Sequence, residues 1–232
     1  MNCPPGMTHR NIPALCQRSR DISLEKGWLN EDGSDPRTPA TVFLLFVSEI
    51  SEALEDYRNN KPATEIYYEV KVKEADGTVS KQNNVLPAAL AELKKLESKY
   101  GRGRDFLDAK PCGIPIELAD FVIRICQRCG SAGADESDSL ARAFDASMAE
   151  GVETSEFDVL LAEAVVACAD HYREASSPYP SGSPEEPVGY LGQALALTFA
   201  FAEKNDIDLW AAIDEKEAYN RTRPIKHGGK KV

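Results

Sequence analysis

The sequence predicts a mostly α fold: a four-helix-bundle-type core carrying a small β-hairpin insertion and extra helices. Three observations lead there. Apolar residues recur three and four positions apart through most of the chain, the spacing of a helix with one buried face. One stretch, EIYYEVKVKEADGTVSK at 65–81, departs from that period, with β-branched and aromatic residues around an Asp76-Gly77 turn. The chain has 232 residues, 42% apolar and 28% charged, which suits a soluble globular protein long enough to bury a core. The expected organisation is a single domain over 1–232. A β-hairpin insertion lies at 61–84 and a helical insertion at 130–187, which ends in a flexible linker at 176–187.

The elements follow in order. Residues 10–26 form a weakly amphipathic helix running up to Gly27-Trp28. The loop from Asn30 to Arg37 is rich in Asp, Gly and Pro. Thr38-Pro39 opens a strong helix, with Thr as the N-cap and Pro in the first turn, where its missing N–H costs nothing. This helix runs through Tyr57 and stops before Pro62. After the hairpin, a helix covers about 85–99, and Gly113 and Pro115 introduce another over 116–129. Helices at 136–149 and 154–174 lead to SSPYPSGSPEEP, whose composition reads as a linker. The last helices span 188–204 and 208–221, and the tail from Arg223 is basic.

Lys plus Arg is 27 and Asp plus Glu is 38, a net charge of −11. So acidic a surface repels a phosphodiester backbone and argues against a nucleic-acid partner. The longest apolar runs, Thr41 to Val47 and Ala194 to Ala202, fall short of the roughly 18–20 residues that span a bilayer, so no membrane partner is expected. The opening MNCPPGMTHRN lacks the apolar stretch of a secretion signal, and a cytoplasmic location is the expectation. Six cysteines are too sparse for a disulfide scaffold. Cys126 and Cys129 form a CxxC inside an apolar-periodic segment, where helix packing is favoured over a zinc or redox site.

The helix TVFLLFVSEISEALEDYR carries the sharpest signal. At about 100° per residue, Val42, Phe46, Ile50, Ala53, Leu54 and Tyr57 share an apolar face. Glu49, Glu52 and Asp56 gather at its edge, while Glu55 points to solvent. Three carboxylates side by side repel one another, the more so as the local dielectric falls, and call for a cation. In GIPIELADFVIRICQRC, Glu117, Asp120 and Arg124 share one side, beside an apolar face of Leu118, Phe121, Val122 and Ile125. If the two apolar faces pack together, Glu49, Glu52, Glu117 and Asp120 converge. Four hard oxygen donors suit Mg²⁺ or Mn²⁺. Near the C-terminus, Lys216 and Asn220 stand four apart on one helix face, and Arg223, Lys226, His227, Lys230 and Lys231 follow. This concentrated basic patch is suited to gripping phosphate oxygens.

Taken together, KGW at Lys26 to Trp28, SEISEALEDYR at Ser48 to Arg58, GIPIELADFVIRI at Gly113 to Ile125 and DIDLWAAIDEKEAYNRTRPIKHGGK at Asp206 to Lys230 resemble the MazG-like, all-α NTP pyrophosphohydrolase superfamily, in the family's order. The resemblance implies an all-α NTP pyrophosphatase core. It also implies a Mg²⁺-dependent enzyme that cleaves a nucleoside triphosphate between the α and β phosphates, giving monophosphate and pyrophosphate. Glu49, Glu52, Glu117 and Asp120 match the metal ligands. Lys216 and Asn220 match the Lys and Asn of the last helix, Arg223 and His227 its Arg and terminal His, and Trp28 the aromatic beside the base. In the mechanism this implies, Glu49 or Glu52 would accept the proton of the attacking water, and Lys216, Arg223 and His227 would stabilise charge on the leaving group. Three departures stand out: Ser48 occupies a position where many relatives have an acid, Cys126-Gln127 replaces an acid after IRI, and the gaps are long, with a hairpin and a helix between the first two motifs and about 85 residues between Asp120 and Asp206. The first two open a second reading, a metal-dependent nucleotide sensor that binds without turnover. The apolar set Val42, Phe46, Leu118, Phe121, Val122, Leu195, Phe199 and Phe201 exceeds what one small bundle buries. A homodimer is therefore expected, unless the long insertion covers that face within one chain.

Overall fold

The computed structural model describes residues 11–74, 76–100, 105–152, 156–177 and 186–226. Among these it is mostly helical, with a small antiparallel sheet. The helices are α1 (Ile12–Glu25), α2 (Pro39–Arg58), α3 (Pro87–Tyr100), α4 (Ile114–Ala132), α5 (Ala134–Glu150), α6 (Phe157–Ser176), α7 (Glu186–Lys204) and α8 (Leu209–Thr222). The strands are β1 (Tyr67–Lys73), β2 (Val79–Val85) and β3 (Asp105–Cys112), ordered β2-β1-β3. No described helix is long and apolar enough to cross a membrane.

Helix α4 is the axis of the molecule. It is apolar nearly all round, and such a helix must be wrapped by others. It packs against α1, α2, α5, α7 and α8. At the α1 contact a Cβ on Gly130 would collide with the Cys16 carbonyl, so the two backbones approach as closely as glycine allows. Cys16, Cys126 and Cys129 are free and fully buried, as the packing reading of the CxxC requires. Helix α2 begins as its sequence dictates: the Thr38 hydroxyl accepts from the Thr41 N–H at 3.2 Å, and Pro39 fills the first turn.

Three expectations are corrected. The hairpin is part of a three-stranded sheet, because β3 pairs antiparallel with β1 over Tyr67↔Cys112 to Lys73↔Asp105. This strand, DFLDAKPC, lacks alternating β-branched residues. Its Pro111 is tolerated because β3 lies at the sheet edge. Second, Leu54 and Tyr57 are exposed rather than buried with the rest of the α2 face, while Ala53 and Asp56 beside them are buried, so the covered stripe of α2 excludes them. The Tyr57 ring is covered on one side by Phe157, 4.9 Å between centroids. Third, of the two covers expected for the large apolar set, a homodimer partner or a long insertion of the same chain, burial is supplied within this chain. Val42, Phe46, Leu118, Phe121, Val122, Leu195 and Phe201 are buried within this one chain, and Phe199 packs partly buried against Phe144 and Trp210. The cover comes from α6 on α2 and from α7 on α5 and α6. Of the linker at 176–187, Ser176 belongs to α6, Glu186 and Pro187 belong to α7, and 178–185 lie outside the described residues.

Candidate metal centre and its cleft

Packing α2 against α4 brings the two acidic stripes together. Glu49, Glu52 and Glu117 each offer a carboxylate oxygen, and these atoms lie within 4.8 Å of one another. Glu49 is 5% exposed and Glu117 4%, while Glu52 stands at the open side with its side chain 48% exposed. Two full negative charges at that separation repel by about 3 kcal/mol even at an effective dielectric near 20, a cost of about two pKa units. Burial pushes Glu49 up to about 7; Asp120 and Glu52 add to the rise, while Arg124 and Lys216 oppose it. Burial likewise carries Glu117 up to about 8, against the pull of Lys216 and Lys110. One oxygen of Glu117, Oε2, is buried with no hydrogen-bond partner. A buried carboxylate oxygen left without a donor is costly. Oxygen donors, crowded and one of them orphaned, are a group that could hold a hard metal ion.

The three acids of the α2 stripe each have their own partner, from three different elements. Arg124 on α4 donates to Glu49 at 3.1 Å, Lys110 on β3 stands 3.8 Å from Glu52, and the Tyr67 hydroxyl on β1 donates to Asp56 at 2.9 Å. Asp56 is thereby an anchor for the sheet. Asp120 borders the same cavity, but its Oδ2 is engaged by the Lys216 ammonium at 2.6 Å, so it stands beside the three-carboxylate group rather than inside it. Lys216 is 2% exposed. Burial alone would pull its ammonium down, but Asp120, Glu117 and Glu49 together hold it above the ordinary lysine range. It serves as a fixed internal counter-charge to the acids.

Glu49, Glu52, Asp120 and Lys216 line a cleft of about 580 Å³, and Glu117 lies buried behind them. Its walls carry carboxylates and cations in equal number, the cations being Lys71, Lys110, Arg124, Lys216 and Arg223. In a chain of net charge −11, this is a place a polyanion can approach. Trp28 lies at one end, positioned by a tight turn at the C-terminus of α1. Gly27 there has φ +72°, and the Trp28 N–H reaches back to the Ser23 carbonyl at 2.8 Å. Trp28, Asp120, Arg124 and Arg223 also border a smaller chamber of about 40 Å³, which Asn220 lines as well. Two buried polar atoms on the walls of that chamber, Ser19 Oγ and Gln127 Nε2, have no hydrogen-bond partner. His227 and the lysines that follow it lie outside the described residues.

The sequence reading missed Lys71, Asp108 and Lys110, which β1 and β3 deliver to the cleft. Only the alternation in YYEVKVK hinted at them, since it buries Val70 and Val72 and turns Glu69 and Lys71 the other way. Ser19 carried no signal, because a lone buried polar residue in an apolar helix is common, and Gln127 drew notice only as part of the Cys126-Gln127 that replaces an acid. Comparison of the chain with known protein families, with curated proteins and with solved structures finds no match.

Proposed function

We propose that the protein is a Mg²⁺-dependent nucleoside triphosphate pyrophosphohydrolase, cleaving between the α and β phosphates to release monophosphate and pyrophosphate. The observation that carries this reading is the crowded carboxylate group of Glu49, Glu52 and Glu117, with its orphaned Glu117 oxygen, beneath a cleft ringed by cations. The ordered motifs of the MazG-like superfamily support the same assignment. Glu49, Glu52 and Glu117, with Asp120 alongside, would hold the ion. Such an ion supplies the positive field that lets a polyphosphate approach carboxylates, and it acidifies water. A carboxylate oxygen of Glu49 or Glu52 takes the proton of the attacking water. That water adds to phosphorus as the bridging P–O bond to the pyrophosphate breaks, and the bond's electrons leave with the pyrophosphate. Arg223 faces the charge that develops there. Trp28, which lines the cleft, offers an aromatic face on which a nucleobase can stack.

A screen of nucleoside triphosphates with Mg²⁺ or Mn²⁺, read by pyrophosphate release, tests the proposal. Turnover is expected for the wild type. Glu52→Gln and Asp120→Asn should abolish it while leaving helical circular dichroism nearly intact. The nucleotide-sensor reading draws on Ser48 and on the ion pairs that already occupy Glu49 and Asp120. Tight binding of a triphosphate with no pyrophosphate release would favour it.

A further inference from the structure

The inserted sheet is two-faced. On one side Val70 and Val72 of β1 join Val85 and Leu90 in a small core of their own, with Ala109 of β3 packed against it. On the other, Glu69 and Lys71 of β1 stand opposite Lys110 and Asp108 of β3, and all four border the cleft. A sheet that merely capped the bundle would turn its apolar face inward. This one turns its charged face to the carboxylates and keeps its apolar face for α3, which carries Leu90.

The sheet is held in that orientation firmly. Tyr67 donates to Asp56 of α2 at 2.9 Å, Tyr68 to Glu215 of α8 at 3.0 Å, and Tyr219 of α8 to Asp108 at 3.2 Å. A single residue, Gly113, joins β3 to α4. Its φ is +113°, and a Cβ there would collide with the Glu65 carbonyl. Lys110 and Glu117 therefore sit on one continuous, locked segment. Lys110 reaches Glu52 only at 3.8 Å, well beyond the roughly 2.7–2.9 Å of a closed charge-assisted bond. Its side chain is one-third exposed. Glu69, by contrast, is engaged by Lys81 of β2 at 3.0 Å. Lys110 thus overhangs the carboxylates with its ammonium still available, and Lys71 stands exposed further out on the same face.

We infer that the inserted sheet is the phosphate clamp of this site: Lys110, assisted by Lys71, holds the oxygens of a di- or triphosphate group against the carboxylate cage. The inference rests on the reading of the cage as a metal–polyphosphate site. It gives the insertion a binding function, and it assigns phosphate contacts to β3 and β1 as well as to α8 and the tail.

The test uses inorganic pyrophosphate and Mn²⁺ with the full-length chain. Lys110→Met keeps the apolar stem and removes the charge. Lys95→Met makes the same change on α3, outside the cleft. Titration calorimetry should show Lys110→Met binding pyrophosphate, in the presence of Mn²⁺, about tenfold or more weakly. Lys71→Met should show a smaller loss, and Lys95→Met a change within about twofold. Mn²⁺ alone should bind Lys110→Met at least as tightly as wild type, because a competing cation has left the carboxylates. Lys110→Arg should recover part of the pyrophosphate affinity. Unchanged pyrophosphate affinity in Lys110→Met overturns the clamp and leaves the metal site standing. So does a parallel loss of Mn²⁺ affinity, which would mark Lys110 as structural. A wild-type protein that binds no Mn²⁺ overturns the metal-site reading and the clamp together.

Discussion

Glu117 concentrates the physics of the site. It is a carboxyl in the first turn of a helix that is otherwise almost wholly buried and apolar, with one oxygen lacking a donor. A carboxyl whose folded pKa lies above its unfolded value keeps its proton in the native state after the unfolded chain has lost it. Folding then takes up protons, and stability falls as pH rises between the two values. For Glu49 and Glu117 that window runs from the ordinary 4.5 to about 7 and about 8. The metal-free protein should therefore be most stable near pH 5 and lose about 3 kcal/mol or more by pH 8, a fall in Tm of roughly 5–10 °C. Glu117→Gln should flatten most of that slope and exceed wild type in Tm at pH 8. Thermal melts of chelator-treated protein across pH check this; a flat wild-type profile would contradict it. At this scale the sequence was partly informative. Helical spacing placed Glu49, Glu52 and Glu117 on facing stripes, and they meet. It could not tell that Asp56 would be claimed by a tyrosine, or Asp120 by a buried lysine, because both partners arrive from distant segments.

Among elements, the helices were legible because their signals are local. The Thr38-Pro39 start is written within four residues and was read as such; Asn11 and Asp208 cap α1 and α8 in the same local way, though the sequence reading did not single them out. Strand β3 was not legible, because its only stabilising pattern is the ladder it makes with β1, some forty residues away. The junction from β3 to α4 is the most constrained point in the sheet. Gly113→Ala would force a side chain into the left-handed region and against the Glu65 carbonyl. We expect a loss of about 2–4 kcal/mol, seen as a lowered denaturant midpoint with an unchanged m-value. A loss below about 0.5 kcal/mol would show that the junction relaxes freely. Surviving Gly113→Ala protein should also bind pyrophosphate less well, since the change displaces Lys110.

At the level of the whole molecule, the chain answers the demand for buried area internally. Helices α5, α6 and α7 cover the face that the sequence reading assigned to a second copy or to the long insertion. The composition gave the total apolar content but not its partition between one chain and two. The charge pattern behaves in the same way. The sequence reading concentrated its cations in the last helix and tail; to Lys216 and Arg223 of that patch the fold adds Lys71 from β1, Lys110 from β3 and Arg124 from α4 around the acids. The outcome is a local balance of charge in an otherwise acidic protein, set over a group of carboxylates that cannot all be ionised unaided. Calorimetric titration of Mn²⁺ into the chelator-treated protein at pH 7.5, in two buffers of different ionisation enthalpy, probes that arrangement most directly. The account predicts binding accompanied by proton release in the wild type, and affinity reduced about a hundredfold or more in Glu117→Gln. Absence of binding by the wild type, or equal affinity in the two proteins, would contradict it.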